Sequence, residues 1–294
     1  MSAAVVSILG AQLGNQMFQY AAGRALAEAR GSELLLYLPE GVDDSLLASF
    51  PLMARRWEPS DHAIHPYLAR MLQSSRTTRV LKRAERMRPL SARRWYENGG
   101  FNHDPNFSRL GGNLVLNGYW QSYKYFGGIR ELLRVELRCR LSLSLQAQDA
   151  MRKIASHPQP VAIHVRRGDY VDGGWPVLSS AYYESALTVL REQHGVDAPG
   201  LFVFSNDPAW CETELLPGRP RTVVSSAGTT AVDDLALMSA CQYILISPST
   251  FSWWAAYLSN RARAVLAPFR WFFHDYEGFR HDDIYPPDWI IVRD

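Results

Sequence analysis

Five short apolar runs in the second half of the chain constrain its fold more than any other feature. They are Pro160–Ile163, Leu201–Phe204, Thr222–Val224, Tyr243–Ile246 and Ala264–Leu266. Each has the length and apolar content of a buried strand. Between them lie segments of helical pattern, Ala181–Gln193, Pro208–Leu215, Val232–Ala240 and Phe251–Leu258. Such alternation indicates a parallel sheet with right-handed crossovers. Three runs open onto small polar clusters: His164–Tyr170, Ser205–Pro208 and Ser247–Trp254. In open α/β sheets ligands bind at the carboxyl ends of strands. The three clusters are therefore expected to converge along one edge of a Rossmann-like domain, where a nucleotide would lie.

The first cluster, His164-Val165-Arg166-Arg167-Gly168-Asp169-Tyr170, is the richest in chemistry. It places two guanidiniums, an imidazole and a carboxylate at a strand exit, and Arg suits planar, two-pronged capture of phosphate. A solvated loop with an internal ion pair is the plain alternative. The Arg167-Gly168-Asp169 tripeptide is too short to indicate an adhesion ligand. The N-terminus repeats the pattern: Val5–Leu9 reads as a strand, Gly10–Gln16 as a loop and Met17–Ala29 as a helix. Glycines allow close backbone approach, and a helix start offers N–H groups to phosphate. Asn15 and Gln16 add side-chain amides there, which favours phosphate or sugar contact over a purely structural turn. The loop is neither a Walker loop nor a full Gly-x-Gly-x-x-Gly fingerprint.

Taken together, the motifs resemble those of the α-1,2-fucosyltransferases over nearly the whole chain. Leu13–Ala21, Gly118–Ser122 with Tyr125-Phe126, His164–Tyr170, Phe204–Asp207 with Trp210-Cys211, Asp234–Ser239 with Ser249–Trp254, and Asp283–Trp289 match six motifs in order. The resemblance implies an α/β, GT-B fold: two Rossmann-like domains facing a cleft, residues 1–150 as the probable acceptor side and 151–294 binding the donor. It implies GDP-fucose as donor substrate, a galactoside or oligosaccharide acceptor, inversion at the fucosyl carbon, and neither cofactor nor metal.

By the same resemblance Arg166 holds the β-phosphate and His164 approaches the pyrophosphate or fucose. Asp207 reads the guanine edge, Ser249, Thr250 and Phe251 hold phosphate and base, and Gly14, Asn15 and Gln16 reach the donor from the other domain. The catalytic set is Arg166, His164 and Asp169. The general base stays unassigned: Asp169 and Asp172 are nearest, and Asp169 has the alternative of orienting Arg166. Two positions depart from the family pattern. Asn206 stands where Asp is frequent, and Pro248 stands where Asn is frequent and lacks a backbone N–H. A related transferase with another linkage or acceptor, and a catalytically silent sugar-nucleotide or glycan binder, remain as alternatives.

Composition is consistent with this class. A chain of 294 residues with 47% hydrophobic content can build two cores, and a net charge of +2 argues against nucleic-acid binding by bulk electrostatics. No apolar run is long enough to span a bilayer, and Met1–Gly10 lacks a signal-peptide pattern, so a cytoplasmic location is expected. The three cysteines, Cys139, Cys211 and Cys241, suggest neither disulfides nor metal. The acidic pairs Asp43-Asp44, Asp233-Asp234 and Asp282-Asp283 are not the Asp-x-Asp of metal-dependent sugar transferases.

Charge is uneven, however. Arg70–Arg94 holds nine Lys/Arg against one acid, Glu85. A solvated helical face is the plain reading, and peripheral contact with an anionic membrane or a lipid-linked glycan is the functional one. Aromatics cluster from Trp95 to Tyr125, and Trp95, Tyr119 and Trp120 are the candidate acceptor-binding rings. A core role is the alternative for these rings. Trp253 and Trp254 are expected to pack.

Overall fold

The computed structural model describes residues 3–58, 70–72, 76–139, 142–173, 175–226, 228–272 and 280–293. Two compact units divide the chain, Met1–Leu137 and Arg138–Asp294. The boundary lies earlier than the expected division after residue 150. Helix Leu145–Ser156 belongs with the second unit, because Ser144 caps it and Ser144 N–H also donates to Asp233 Oδ1 at 3.2 Å. That bond ties its start to helix Ala231–Ser239.

The first unit is a parallel sheet of β1 (Ala4–Ile8), β2 (Glu33–Tyr37), β3 (Arg55–Arg56), β4 (Trp95–Asn98) and β5 (Leu114–Gly118), in the order β3-β2-β1-β5-β4. Helix Leu13–Arg30 connects β1 to β2 and ends at Gly31, whose φ of 57° is left-handed. It starts four residues ahead of the expected Met17, since Leu13 and Met17 are both buried and begin one apolar stripe. Gly14, Asn15 and Gln16 therefore sit in a helical first turn and not in a loop. Gly23 lets this helix lie close to the sheet: a Cβ there would come within 3.0 Å of Leu34 Cδ1 and Ser7 Cβ.

The second unit contains β6 (Pro160–Val165), β7 (Gly200–Ser205), β8 (Thr222–Val223), β9 (Tyr243–Leu245), β10 (Ala264–Pro268) and β11 (Ile290–Val292). Their order is β11-β10-β9-β6-β7-β8, with every neighbouring pair parallel. All five expected strands are present, and β11 is a sixth that closes one edge. The expected helices form at Ser180–His194, Pro208–Thr213, Ala231–Ser239 and Thr250–Leu258. Every residue of β6 is buried, as a central parallel strand covered on both faces requires. Val161, Ile163, Val203 and Leu245 meet Tyr182, Tyr183 and Leu190 in the core. Each such aliphatic side chain contributes about 1.5–3 kcal/mol on burial. Trp253 and Trp254 are fully buried, and Trp253 Nε1 donates to Ile284 O at 2.8 Å, so they pack as expected.

Candidate active site

Strand order locates the site in the second unit. The chain runs from β6 outward through β7 to β8, then returns to β9 on the other side of β6. At a switch point of this kind ligands bind outside the carboxyl ends of the strands. His164 on β6 and Ser247 just past β9 meet there, with Nδ1 and Oγ 2.6 Å apart. Tyr183 Oη donates to His164 O at 3.0 Å and Tyr170 Oη donates to Pro248 O at 3.1 Å, which ties the two strand exits together. His164 is buried, and burial, followed by the charge of Arg166, lowers its pKa to about 3. Its ring is therefore held in the neutral form, with one nitrogen as N–H donor and the other as acceptor, which suits it to orient and hydrogen-bond.

The two arginines diverge, as adjacent residues leaving a strand do. Arg166 Nη2 donates to Asp169 Oδ2 at 2.8 Å, and its guanidinium lies 5.1 Å from the Tyr170 ring. Arg167 turns the other way, donating from Nε to Asp207 Oδ2 at 3.2 Å and stacking 4.1 Å over Trp210. Asn206 bridges the two sides. Its Nδ2 donates to Asp169 Oδ1 at 3.1 Å, while its Oδ1 accepts from Arg167 N–H at 2.9 Å. Gly168, at φ +22°, is required beneath it, because a Cβ would stand 2.4 Å from Asn206 Nδ2. Both oxygens of Asp169 are engaged, which suits an orienting role for this carboxylate. The side chain of Asp172 lies outside the described residues.

Asp207 is also committed. Its Oδ1 caps helix Pro208–Thr213 by accepting from Trp210 N–H at 3.2 Å, and its Oδ2 holds Arg167. A second carboxylate, not singled out from the sequence as a site residue, lies one step away. Ser205 N–H donates to Ser225 Oγ, and Ser225 Oγ donates to Asp234 Oδ2 at 2.6 Å. Asp234 Oδ1 is buried without a hydrogen bond. Burial raises the pKa of Asp234 to about 6, the Ser225 and Thr229 hydroxyls oppose that shift, and the neighbouring charge of Asp233 adds to it. A buried acceptor with spare capacity beside a strand exit is suited to an N–H donor from a ligand. Third among the strand exits, Ser249 is buried and Thr250 and Phe251 are half-buried at the start of helix Thr250–Leu258. First-turn N–H groups there have no partner within the helix. Phe251 lies 5.6 Å from the His164 ring. The structure thus brings together His164, Arg166, Asp169, Asp207, Ser249, Thr250 and Phe251.

Gly14, Asn15 and Gln16 belong to the first unit. Asn15 Oδ1 accepts from Gln121 Nε2 at 2.8 Å. Gln16 is fully buried: its Nε2 donates to Ala11 O at 3.0 Å and Asp43 O at 2.8 Å, which holds the turn from inside, while its Oε1 is buried without a hydrogen bond. Two of the three expected acceptor rings are corrected. Trp95 is buried in the sheet core with Lys82 Nζ 4.0 Å over its ring. Trp120 is fully buried, at φ 55°, stacked on Tyr96 and edge-on to Tyr125. Aromatic rings carry large apolar area, and here the core claims it. Tyr119 is the one of the three that reaches solvent, 45% exposed and stacked on Phe101 at 6.2 Å. It borders a cavity of about 240 Å³ at the ends of β1, β2 and β5, lined also by Leu9, Gly10, Ala11, Pro39 and Gly118.

Among the described residues no group of three or more His, Cys, Asp or Glu could hold a metal ion. Likewise no described helix is long and apolar enough to cross a membrane.

The family model for glycosyl transferase family 11 matches residues 101–293. The chain belongs to glycosyl transferase family 11. It is similar to the alpha-1,2-colitosyltransferase of Escherichia coli, 29% identical over 98% of this chain and 99% of that protein. It is also similar to galactoside alpha-(1,2)-fucosyltransferase 1 of Leontocebus fuscicollis, 28% identical over 96% of this chain and 73% of the relative. Among solved structures, NodZ alpha-1,6-fucosyltransferase soaked with GDP-fucose aligns with a TM-score of 0.53 at 14% identity, covering 93% of this chain and 98% of that one. A mutant of Arabidopsis thaliana FUT1 in complex with GDP also gives 0.53, at 15% identity, over 88% and 69% of the two chains. The fold is α/β of the GT-B class, with two Rossmann-like units, as the sequence motifs implied.

Proposed function

We propose that this family 11 glycosyltransferase moves L-fucose from GDP-fucose to the 2-hydroxyl of a galactose-type acceptor, inverting the fucosyl carbon. The carrying observation is the Arg166 fork at the switch point of a Rossmann sheet, beside neutral His164 and the helix start at Thr250. The α-1,2 linkage named for the relatives and the GDP-fucose soaked into a structural neighbour support the choice of linkage and donor.

In this reading the acceptor oxygen attacks the anomeric carbon as its bond to the β-phosphate breaks, and GDP leaves with the electron pair. Negative charge grows on the phosphate, and Arg166 meets it with two parallel N–H donors. Fixed donors aimed at developing charge account for most of the rate enhancement in many enzymes. Asp169 and Asn206 set the angle of that fork. His164 helps hold the donor as a neutral ring. Asp234 or Asp207 accepts from the guanine edge, and Asp234 has the spare acceptor. Tyr119 offers a face for an acceptor sugar.

One observation favours a second reading. The E. coli relative, matched over almost its full length, is named for colitose, so a GDP-linked deoxy sugar other than fucose is the alternative donor. Purified protein incubated with GDP-fucose or GDP-colitose and a panel of β-galactosides, followed by mass spectrometry, decides between them. Addition of fucose supports the proposal and addition of colitose alone replaces it. Tight binding of GDP-fucose with neither transfer nor slow hydrolysis would identify a silent binder.

A further inference from the structure

Helix Arg76–Arg86 carries a solvent face that mixes arginines with exposed apolar side chains. At roughly 3.6 residues per turn, positions 79, 80, 83 and 86 share one stripe, and Met87 continues it just past the helix end. On the opposite side Thr78 and Glu85 are buried and Lys82 lies over Trp95. Arg79 and Arg83 are exposed and make no ion pair among the described residues, and Arg86 remains 70% exposed while touching Glu97. Between these cations Val80 is 69% and Met87 86% exposed. Outside Arg70–Arg94 the chain has 22 Lys/Arg against 28 Asp/Glu, so the basic charge is concentrated here on an otherwise acidic protein.

We propose that this face docks on the surface of an anionic lipid bilayer. A helix lying in the bilayer interface combines arginines, which bind lipid phosphates, with apolar side chains that enter the headgroup and acyl boundary. Exposed Val80 and Met87 flanked by Arg79, Arg83 and Arg86 have that composition. Duplex nucleic acid would engage the cations alone and leave the two apolar side chains in water. The net negative charge of the remaining chain keeps other faces away from the same surface, which fixes one docking orientation.

The test is co-sedimentation of the full chain with vesicles of neutral phosphatidylcholine, or of the same lipid with a third phosphatidylglycerol, in 0.1 M salt. Binding should require the anionic lipid and fade in 1 M salt, where the screening length shrinks from about 10 Å to about 3 Å. Each arginine removed should weaken binding roughly fivefold, so Arg79→Gln/Arg83→Gln should lose about 25-fold. Val80→Ser/Met87→Ser should also weaken binding, without changing its salt dependence. Thermal melts of both double variants should match the parent, since these side chains lie on the solvent face. Equal binding to neutral vesicles, indifference to Arg79→Gln/Arg83→Gln, or equal affinity of parent and Val80→Ser/Met87→Ser would each overturn the proposal. A short DNA duplex bound as tightly as the anionic vesicles would overturn it too, assigning the face to polyanions in general.

Discussion

Replacing Arg166 by lysine keeps the charge and removes the planar fork, and the structure assigns different consequences to the same change at Arg167. Arg166 is held by Asp169 at 2.8 Å, a pair whose carboxylate is 52% exposed. Such pairs contribute about 0–1 kcal/mol to stability, so Arg166→Lys should shift Tm by no more than a few degrees. Its effect belongs to the transition state. Loss of one donor aimed at developing charge costs about 10²–10³-fold in turnover, or about 2.7–4 kcal/mol. Donor affinity should change less than kcat, because the contact strengthens as charge builds. Arg167 is built into the scaffold by Asp207 and by its stack on Trp210. Arg167→Lys should therefore lower stability by about 0.5–2 kcal/mol and reduce turnover less than Arg166→Lys does. Steady-state kinetics of transfer with thermal melts of both variants measure each quantity. Near-parent turnover in Arg166→Lys with turnover abolished in Arg167→Lys would exchange the two roles, and tolerance of both would refute the phosphate clamp.

Guanine recognition separates the two carboxylates. If Asp234 is the reader, Asp234→Asn should lose most of the preference for GDP over ADP in calorimetric titrations, and GDP affinity should fall as pH drops through about 6 and Asp234 becomes protonated. If Asp207 is the reader, Asp207→Ala should erase that preference at a cost of about 1–3 kcal/mol; retention of the preference in both variants would exclude both. The stability effect of Asp234 has the opposite sense: its folded pKa is raised, so its contribution is present below the unfolded value near 3.8 and lost as pH rises through about 6. Urea melts of Asp234→Asn against the parent should show the variant gaining relative stability as pH rises from about 4 to about 6 and keeping that gain above it, and a constant difference across pH 4–8 would contradict the burial argument. Activity should persist in excess EDTA, since the described residues offer no metal cluster; a loss restored by Mg²⁺ or Mn²⁺ would overturn charge stabilisation by protein groups alone. Tyr119→Ala should raise KM for the acceptor several-fold while leaving that for the donor unchanged, and the reverse split would remove Tyr119 from the acceptor site.

The second unit was legible because its central strands, β6, β7, β9 and β10, are buried. Central parallel strands read as continuous apolar runs, and the polar residues that follow them mark the ligand edge. Position alone thus marked the clusters that hold His164, Arg166, Asp207 and Ser249, while the roles given to the individual residues came from the family resemblance. β11 was harder: Ile290–Val292 is three residues long, and an edge strand that short has no pattern of its own. In the first unit β3 is two exposed arginines, visible only through its pairing with β2. The acceptor rings failed for another reason. Trp95, Tyr119 and Trp120 are equally aromatic in sequence, which does not say which ring the core claims; Trp95 and Trp120, the latter at φ 55°, are buried while Tyr119 stays outside. Gln16 is ambiguous likewise, since an amide can bind a ligand or the chain's own carbonyls and sequence does not distinguish them. Asp234 appeared in a motif, but its value as an acceptor depends on Ser225, which the fold brings to one oxygen and not the other.

The most direct test of the central claim is proton and carbon NMR of the product formed from GDP-fucose and a β-galactoside such as lactose. The expected result is release of GDP and a fucose linked to O2 of galactose, with anomeric configuration opposite to that in the donor. A product fucosylated at any other oxygen, or one that retains the donor's configuration, would contradict it.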